Sequence, residues 1–287
     1  MANRGNLCVG IDPHPQLLKD WGLEDSPAGL ETFSLRVVSA LAGEVAVLKP
    51  QVALFERHGS AGIAVLEKTL AAAADAGILT LADAKRGDIG STMAAYAAAW
   101  LRDGSSLAAD AVTLSPYLGF ESLRPALDLA QESGRGVFVL ALTSNPEGAS
   151  VQHRGEPGSV AKGIVRAAAA ENQRVYGADG DSGTLGSVDG DGVGRATLGS
   201  VGLVVGANTG AAIRQLGINL QRLNGPILAP GLGAQGATPS DIKATFGPVF
   251  DRVLASTSRG VLQAGPTERN LLNAAAAVRD ELSALRA

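Results

Sequence analysis

The segment "DAKRGD" at 83–88 ends an apolar run and surrounds one lysine with two carboxylates. Side chains alternate along a strand, so Asp83 and Lys85 are expected to point to the same side. Nearby carboxylates favour the charged form of a lysine. Lys85 is therefore predicted to serve as a proton donor or an electrostatic anchor rather than as a nucleophilic amine.

Two more charged residues end neighbouring apolar runs. Asp12 closes the run at 7–12, and Lys49 closes the run at 45–49. If these runs are parallel strands of a barrel, their carboxyl ends meet at one mouth, where the working residues of such enzymes lie. We expect these charges to converge with those of the third run on one small site. A structural ion-pair network is the alternative interpretation.

Asp88 allows two interpretations. It stands at the start of the next helical pattern, where an Asp accepts backbone N–H bonds and opposes the helix dipole. Taken alone, the residue is therefore expected to cap that helix. Taken together with the converging charges at the ends of the first three runs, it is a candidate for the catalytic group as well.

An anion site is predicted on the opposite side of the mouth. The motif "APGLGAQG" at 229–236 follows the seventh apolar run, and "STSRG" at 256–260 follows the eighth. Loops in these positions of a barrel often bind phosphate through backbone N–H groups, and Arg259 can add a charge-assisted pair of hydrogen bonds. "GLGAQG" also fits G-x-G-x-x-G, but it does not open a nucleotide-binding βαβ unit, so a dinucleotide is not expected.

Polar residues also follow the fifth and sixth runs, in "TSNPEG" at 143–148 and at Asn208. Ser144 and Asn145 could contact a polar ring in the mouth. Ser-Asn-Pro is ordinary turn chemistry too, so a purely structural turn remains the alternative for Asn145.

No metal site is predicted. The three histidines are scattered through loops and make no metal-ligand spacing with one another or with Cys8. Cys8, which is the single cysteine, lies in the apolar "LCVGI" and is expected to be a buried inert thiol.

Eight short apolar runs alternate with amphipathic helical patterns along the chain. Continuous apolar character indicates strands that are buried on both faces, as in a parallel sheet. Eight such units ending in a helical pattern favour a closed (β/α)8 TIM barrel of the α/β class, forming a single domain over 1–287. The runs lie at 7–12, 45–49, 77–83, 111–115, 136–143, 201–207, 226–230 and 252–257.

The segment at 175–200 interrupts this rhythm. It is rich in Gly, Asp and Ser and has no periodic apolar face, so we predict a flexible loop insertion before strand six. Its Asp spacing does not fit the calcium-binding loop of an EF-hand, and no Glu closes such a loop.

Composition excludes several classes of protein. With 46% hydrophobic and 18% charged residues, the chain is expected to be globular. A net charge of −4 provides no basic field for nucleic acid. Because there is no signal-like segment and no membrane-length apolar run, the protein is expected to be cytoplasmic, with no membrane partner.

These motifs resemble the orotidine 5'-phosphate decarboxylase family. "DAKRGDIGST" is similar to the D-x-K-x-x-D signature of that family, and further matches follow in the family's order: "GIDPHP", "LKPQ", "TSNP", "VGLVVGAN", "APGLGAQG" and the "SR" of "STSRG". The length resembles the longer bacterial branch. The resemblance implies that the protein decarboxylates orotidine 5'-phosphate to UMP and CO2 in de novo pyrimidine biosynthesis, without a cofactor.

The resemblance also implies roles for the charged residues. Asp12 and Lys49 would hold ribose hydroxyls and brace the network, and Asp83 would lie against the substrate carboxylate. Lys85 would stabilise a carbanion at C6 of the pyrimidine and then protonate it. Electrostatic stabilisation by a fixed ammonium is the expected source of catalysis, because no cofactor is available as an electron sink.

A homodimer with shared active sites is a further implication. Asp88, Ile89 and Thr92 match the segment that the family inserts into the neighbouring subunit's site, where Asp88 and Thr92 would reach the ribose. In the subunit's own site, Ser144 would contact the pyrimidine and Gln235 would bridge base and phosphate. Arg259 would bind the 5'-phosphate.

Two alternatives stay open. Sugar-phosphate enzymes of the same superfamily share the D-x-K-x-x-D motif and use Mg²⁺, although they typically have an acidic metal ligand where this chain has Lys49. A barrel that binds a nucleotide or sugar phosphate without turnover is a second alternative, but plain phosphate binding would not need the charged set. Departures from the family pattern at Glu147, at Asn208 and in the insertion at 175–200 concern loops rather than that set.

Overall fold

Eight parallel strands form a closed barrel in the order β1 to β8, and β8 pairs back with β1. The computed structural model describes residues 4–155, 158–176, 198–233 and 236–286. The strands are β1 (Leu7–Ile11), β2 (Val47–Pro50), β3 (Leu79–Arg86), β4 (Ala111–Leu114), β5 (Gly136–Leu142), β6 (Val201–Val205), β7 (Ile227–Pro230) and β8 (Val253–Thr257). Each strand overlaps one predicted apolar run, and the predicted (β/α)8 TIM barrel is confirmed.

More helices surround the barrel than the eight that the sequence pattern predicts. Among the described residues there are twelve α-helices: α1 (Pro15–Asp20), α2 (Pro27–Leu41), α3 (Ala53–Glu56), α4 (Gly59–Asp75), α5 (Gly90–Leu101), α6 (Arg124–Glu132), α7 (Ala149–Gln152), α8 (Val160–Tyr176), α9 (Gly210–Gln215), α10 (Pro239–Phe246), α11 (Arg259–Leu262) and α12 (Glu268–Ala284). Four 3-10 helices cover Phe120–Leu123, Pro146–Gly148, Leu220–Leu223 and Gly247–Arg252. The additional helices are short and lie in loops, where the helical period is too brief to be read from sequence.

Helix ends are set by local side chains. Ser26 accepts a hydrogen bond from the Gly29 N–H at the start of α2, and Pro27 occupies the first helical turn. At the start of α10, Thr238 and Asp241 form a reciprocal capping box. These caps fix where the helices begin relative to the barrel.

The core has two layers, separated by the wall of the barrel. In β1, Leu7, Val9 and Ile11 pack outward against the helices, whereas Cys8 points into the barrel interior. The interior layer consists of Cys8, Ala46, Val47, Leu81, Ala111, Phe138, Val204, Leu228 and Leu254. Burial on both faces explains why the strands are continuously apolar.

The register of β3 is irregular beside β4. Ala82 pairs with Val112 and Arg86 pairs with Leu114, so four steps along β3 match two steps along β4. Such a bulge re-aims side chains and is common next to active sites. Here it involves Asp83 and Lys85.

The predicted insertion at 175–200 falls largely outside the described residues. Helix α8 ends at Tyr176, and the described chain resumes at Leu198, ahead of β6. Among the described helices, none has the length and apolar character that a bilayer crossing requires.

Candidate active site

A cavity of 370 Å³ lies at the carboxyl ends of the strands, where a TIM barrel places its working residues. Leu140, Val204 and Leu228 contribute apolar side chains to its lining. Seven of the residues singled out from the sequence line it together: Asp12, Lys49, Asp83, Lys85, Ser144, Asn145 and Arg259.

The Asp83 carboxylate is held by donors on both oxygens. Lys49 Nζ donates to Oδ2 at 3.3 Å, and Gln51 Nε2 donates to the same oxygen at 3.0 Å. Lys85 Nζ donates to Oδ1 at 2.6 Å, and the Thr113 hydroxyl donates to Oδ1 at 3.0 Å. The carboxylate therefore fixes two ammonium groups in an alternating charge array.

This array shifts the protonation of its buried members. Burial raises the pKa of Asp83, but Lys49 and Lys85 lower it more, and the net pKa is about 2. Burial lowers the pKa of Lys49, and Asp12 and Asp83 together raise it above its usual value. Both groups are consequently charged at neutral pH.

Asp12 lies at the edge of the array, with its Oδ1 4.0 Å from Lys49 Nζ. That oxygen is buried and accepts no hydrogen bond within the described structure. A buried acceptor without a partner is costly, so the site has an unmet requirement for a donor at this position.

Lys85 differs from Lys49 in exposure and backbone. Its side chain is 46% exposed, whereas that of Lys49 is 6% exposed, so Lys85 faces the open cavity. Its φ is +49°, a left-handed conformation that is uncommon for residues other than glycine. The Lys85 N–H donates to Thr113 Oγ1 at 2.9 Å.

Arg259 approaches the cavity from the opposite side. It is the first residue of α11 and is exposed. Ser256 and Ser258 from the same segment line the cavity, together with Gly231 and Leu232 after β7. This side therefore combines one guanidinium with the loops after strands seven and eight, as predicted for an anion.

The loop after β5 has internal hydrogen bonds that bear on Asn145. Thr143 Oγ1 donates to Asn145 Oδ1 at 2.6 Å, and Asn145 Nδ2 donates to Glu147 at 3.0 Å. Asn145 thus has the turn role that its sequence context predicts, and it also lines the cavity with Ser144.

Not all of the predicted residues are found at this cavity. Asp88, Ile89 and Thr92 do not line it, and Ile89 is 61% exposed. The expectation that Asp88 caps the helix is wrong, because Ile89 is the N-cap of α5 and Asp88 Oδ1 accepts from the Ile89 N–H at 2.8 Å. Gln235 lies outside the described residues.

Sequence reasoning missed three residues of this site. His14 and Gln51 line the cavity, and Thr113 supports Asp83 from behind it. Gln51 could have been found, because it lies two residues after Lys49 and strand side chains alternate. Thr113 gave only a weak signal, as one hydroxyl in the apolar run "AVTLS". The spacing of His14 bears only on metal binding, so its place at the cavity was not predictable from the sequence.

No metal centre accompanies this array in the described part of the chain, where no three His, Cys, Asp or Glu side chains are grouped suitably for an ion.

Asn208 lies away from the cavity and lines a separate surface groove with Arg214 and Asp241.

Comparison with known proteins agrees with the motifs and the fold. The profile of the "Orotidine 5'-phosphate decarboxylase / HUMPS family" matches residues 5–273. The chain is 54% identical over 278 residues to an orotidine 5'-phosphate decarboxylase of Streptomyces coelicolor, covering 96% of this chain and 91% of that one.

Solved structures give the same result. A Streptomyces avermitilis protein assigned as an orotidine 5'-phosphate decarboxylase superposes with a TM-score of 0.88 at 53% identity, covering 99% of this chain and 92% of that one. A Toxoplasma gondii protein assigned to the same activity has a TM-score of 0.81 at 31% identity, with coverage of 99% and 93%. The protein therefore belongs to the orotidine 5'-phosphate decarboxylase / HUMPS family.

Proposed function

We propose that this protein decarboxylates orotidine 5'-phosphate to UMP and CO2 in cytoplasmic pyrimidine biosynthesis. The observation that carries the proposal is the array of Lys49, Asp83 and Lys85 at the end of a cavity with apolar walls. Membership of the family supports the same reaction.

Substrate binding follows from the charges around the cavity. The dianionic 5'-phosphate pairs with Arg259 and with backbone N–H groups of the loops after β7 and β8. A ribose hydroxyl supplies the donor that buried Asp12 Oδ1 lacks, and Lys49, whose Nζ lies 4.0 Å from that oxygen, holds a second ribose hydroxyl. Ser144 contacts the pyrimidine edge, and Gln235 stays a predicted bridge between base and phosphate.

Loss of CO2 leaves an electron pair in an sp2 orbital at C6, where the ring cannot delocalise it. The Lys85 ammonium stabilises this charge, because Asp83 holds it in place before the reaction and no reorganisation is needed. The C–C bond electrons remain on C6, which takes a proton from Lys85 Nζ. The half-exposed Lys85 amine then regains its proton from solvent.

Asp83 has a second role in this proposal. Its ionised carboxylate lies against the substrate carboxylate, and the repulsion is relieved as neutral CO2 leaves. The low pKa of Asp83 supports this role, because Lys49 and Lys85 oppose the protonation that a neighbouring anion would favour. Stabilisation by Lys85 is the larger contribution.

The segment at 88–92 is proposed to complete the partner subunit's site in a homodimer. Asp88, Ile89 and Thr92 do not line their own cavity, and Ile89 is an exposed apolar residue. Tyr117 and Leu118, which follow the neighbouring strand β4, are 81% and 55% exposed. Exposed large apolar side chains after two neighbouring strands support association with another chain.

The first test is the loss of orotidine 5'-phosphate ultraviolet absorbance in EDTA. We expect wild-type protein to convert the substrate to UMP, and Lys85→Ala to lose roughly 10³-fold or more in turnover, since it removes both the proton donor and the charge. The Lys19→Ala variant, which changes an exposed lysine of α1, serves as the matched control.

Two outcomes would contradict the proposal. Near wild-type turnover by Lys85→Ala would remove Lys85 as the proton donor. Absence of conversion by folded wild-type protein in EDTA, with turnover of a sugar phosphate on adding Mg²⁺, would assign the site to the sugar-phosphate enzymes. A calorimetric signal without product would indicate binding alone.

A further inference from the structure

Thr113 is a fully buried polar side chain in the middle of β4. It does not line the cavity, and the reaction proposed above assigns it no part. Its hydroxyl nevertheless bonds to two residues of the array, because it donates to Asp83 Oδ1 at 3.0 Å and accepts from the Lys85 N–H at 2.9 Å.

The bulge in β3 explains why a hydroxyl is needed at this position. Between the Ala82–Val112 and Arg86–Leu114 pairs, β3 has two more residues than β4, so its regular ladder is interrupted opposite Thr113. Across this interruption, the Lys85 N–H bonds to the side chain of Thr113 at 2.9 Å. A buried N–H without such a partner would be costly.

The hydrogen bond from the Lys85 N–H to Thr113 also helps to hold the unusual backbone conformation of Lys85. Its φ of +49° lies in the left-handed region, which a lysine occupies at an energetic cost and keeps only when its surroundings hold it there. Apart from Lys85, only Asn224 among the described non-glycine residues has a positive φ, and Asn tolerates that conformation.

We propose that Thr113 is a positioning residue, whose single hydroxyl fixes the Asp83 carboxylate and the left-handed Lys85 backbone relative to each other. With both held, Lys85 Nζ lies 2.6 Å from Asp83 Oδ1 and faces the cavity. The inference rests on the proposed function, since it concerns how the proton donor is aimed.

The hydrogen bond from the Thr113 hydroxyl to Asp83 also favours the charged form of the carboxylate. The Thr113 hydroxyl is one of the groups that lower the pKa of Asp83, after burial, which raises it, and after the two lysines. Removing the hydroxyl therefore weakens the anionic form of the group that orients Lys85.

The test compares substitutions that keep or remove the hydroxyl. Thr113→Val preserves the shape and removes both bonds, so we expect kcat to fall roughly 10- to 100-fold, the usual effect of losing a hydrogen bond to a charged group. The KM should change less than about threefold, because phosphate and ribose contacts are retained. Thr113→Ser keeps the hydroxyl and should return kcat to within about threefold of wild type.

Thr69→Val is the matched control. Thr69 is equally buried, but its hydroxyl donates to Val65 O within α4, away from the cavity. This variant should keep wild-type kcat and KM. If Thr113→Val does not fold, Thr113→Cys replaces it, since a thiol is a weak donor and acceptor, and its kcat should lie well below that of Thr113→Ser.

Crystal structures of wild type and Thr113→Val provide a readout that does not require turnover. We expect Lys85 to leave the left-handed region, or its Nζ to move away from Asp83, in the variant. Unchanged Lys85 geometry together with unchanged kcat would overturn the inference. If wild type does not turn over the substrate, the proposed reaction is rejected. If Lys85 is nevertheless displaced in Thr113→Val, the positioning role of Thr113 is retained.

Discussion

Asp83 is the residue on which the rest of the array depends. Burying a carboxylate is unfavourable unless it is paired and hydrogen-bonded, and Asp83 meets both conditions with four donors. An apolar replacement of such a group is often no less stable in ordinary cores, so stability alone does not explain its presence. Its use is to hold Lys49 and Lys85 at fixed positions.

The pKa of Asp83 predicts how stability depends on pH. A carboxyl whose pKa falls from its ordinary value of 3.8 to about 2 on folding contributes stability above pH 4 and loses it as the pH falls toward 2. Wild type should therefore exceed Asp83→Asn in free energy of unfolding at pH 7, and the difference should shrink by about 2 kcal/mol between pH 4 and pH 2. Urea unfolding followed by tryptophan fluorescence measures this difference. A constant difference across the range would contradict the assigned charge state.

Arg259 is predicted to act only through the phosphate. Arg259→Ala should lower kcat/KM for orotidine 5'-phosphate roughly 10- to 100-fold, because a charge-assisted contact is lost. Orotidine, which has no phosphate, should be turned over equally slowly by wild type and variant. Arg269→Ala, at an exposed position of α12, is the control. An equal loss on both substrates would mean that Arg259 supports the structure of the site rather than phosphate binding.

At the scale of elements, the strand pattern was predictable and the bulge was not. Burial on both faces leaves a continuous apolar signature, so all eight strands could be located, and alternation correctly grouped Asp83 with Lys85. Sequence extended the third strand only to Asp83, whereas β3 continues to Arg86. Its irregular pairing depends on contacts with β4, which are long-range and leave no local signal.

The exit from this bulge requires glycine. A Cβ at Gly87 would lie 2.3 Å from the Ser115 carbonyl oxygen, and backbone atoms there cannot move aside easily. Gly87→Ala should lower the free energy of unfolding by about 1–3 kcal/mol. Gly163→Ala in α8 has open space around its Cβ and should raise it by about 0.5–1 kcal/mol. Denaturant unfolding of both variants tests the pair, and the same sign for both would contradict the steric argument.

For the whole molecule, the main question is whether one chain has a complete site. The residues at 88–92 were expected near the chemistry, but they lie outside their own cavity. Residue spacing alone could place this segment only after β3, and its insertion into a partner's site stays a prediction that comes from the family resemblance. Ile89, Tyr117 and Leu118 are exposed apolar side chains, on which the proposed partner chain would pack.

Mixed dimers test this arrangement directly. Chains with Lys85→Ala and chains with Asp88→Ala should each be impaired alone, whereas a heterodimer regains one site with an intact Lys85 and an intact Asp88. Differently tagged chains allow heterodimers to be purified and their turnover measured. Tagged and untagged Lys85→Ala chains mixed in the same way form the control, and persistent inactivity of verified heterodimers would argue against shared sites.

The position of Cys8 inside the barrel makes its thiol a probe for opening of the barrel by partial or complete unfolding. Burial raises the pKa of the thiol to about 11, although Lys49 lowers it. While the barrel is closed, a thiol reagent cannot reach Cys8, and the reactive thiolate form is scarce. Because this is the only cysteine, each labelled molecule marks one opening event. When opening and closing are fast relative to labelling, any compound that binds only the closed barrel slows labelling in proportion to its occupancy. Cavity ligands can thus be ranked from a labelling rate, with no catalytic turnover required.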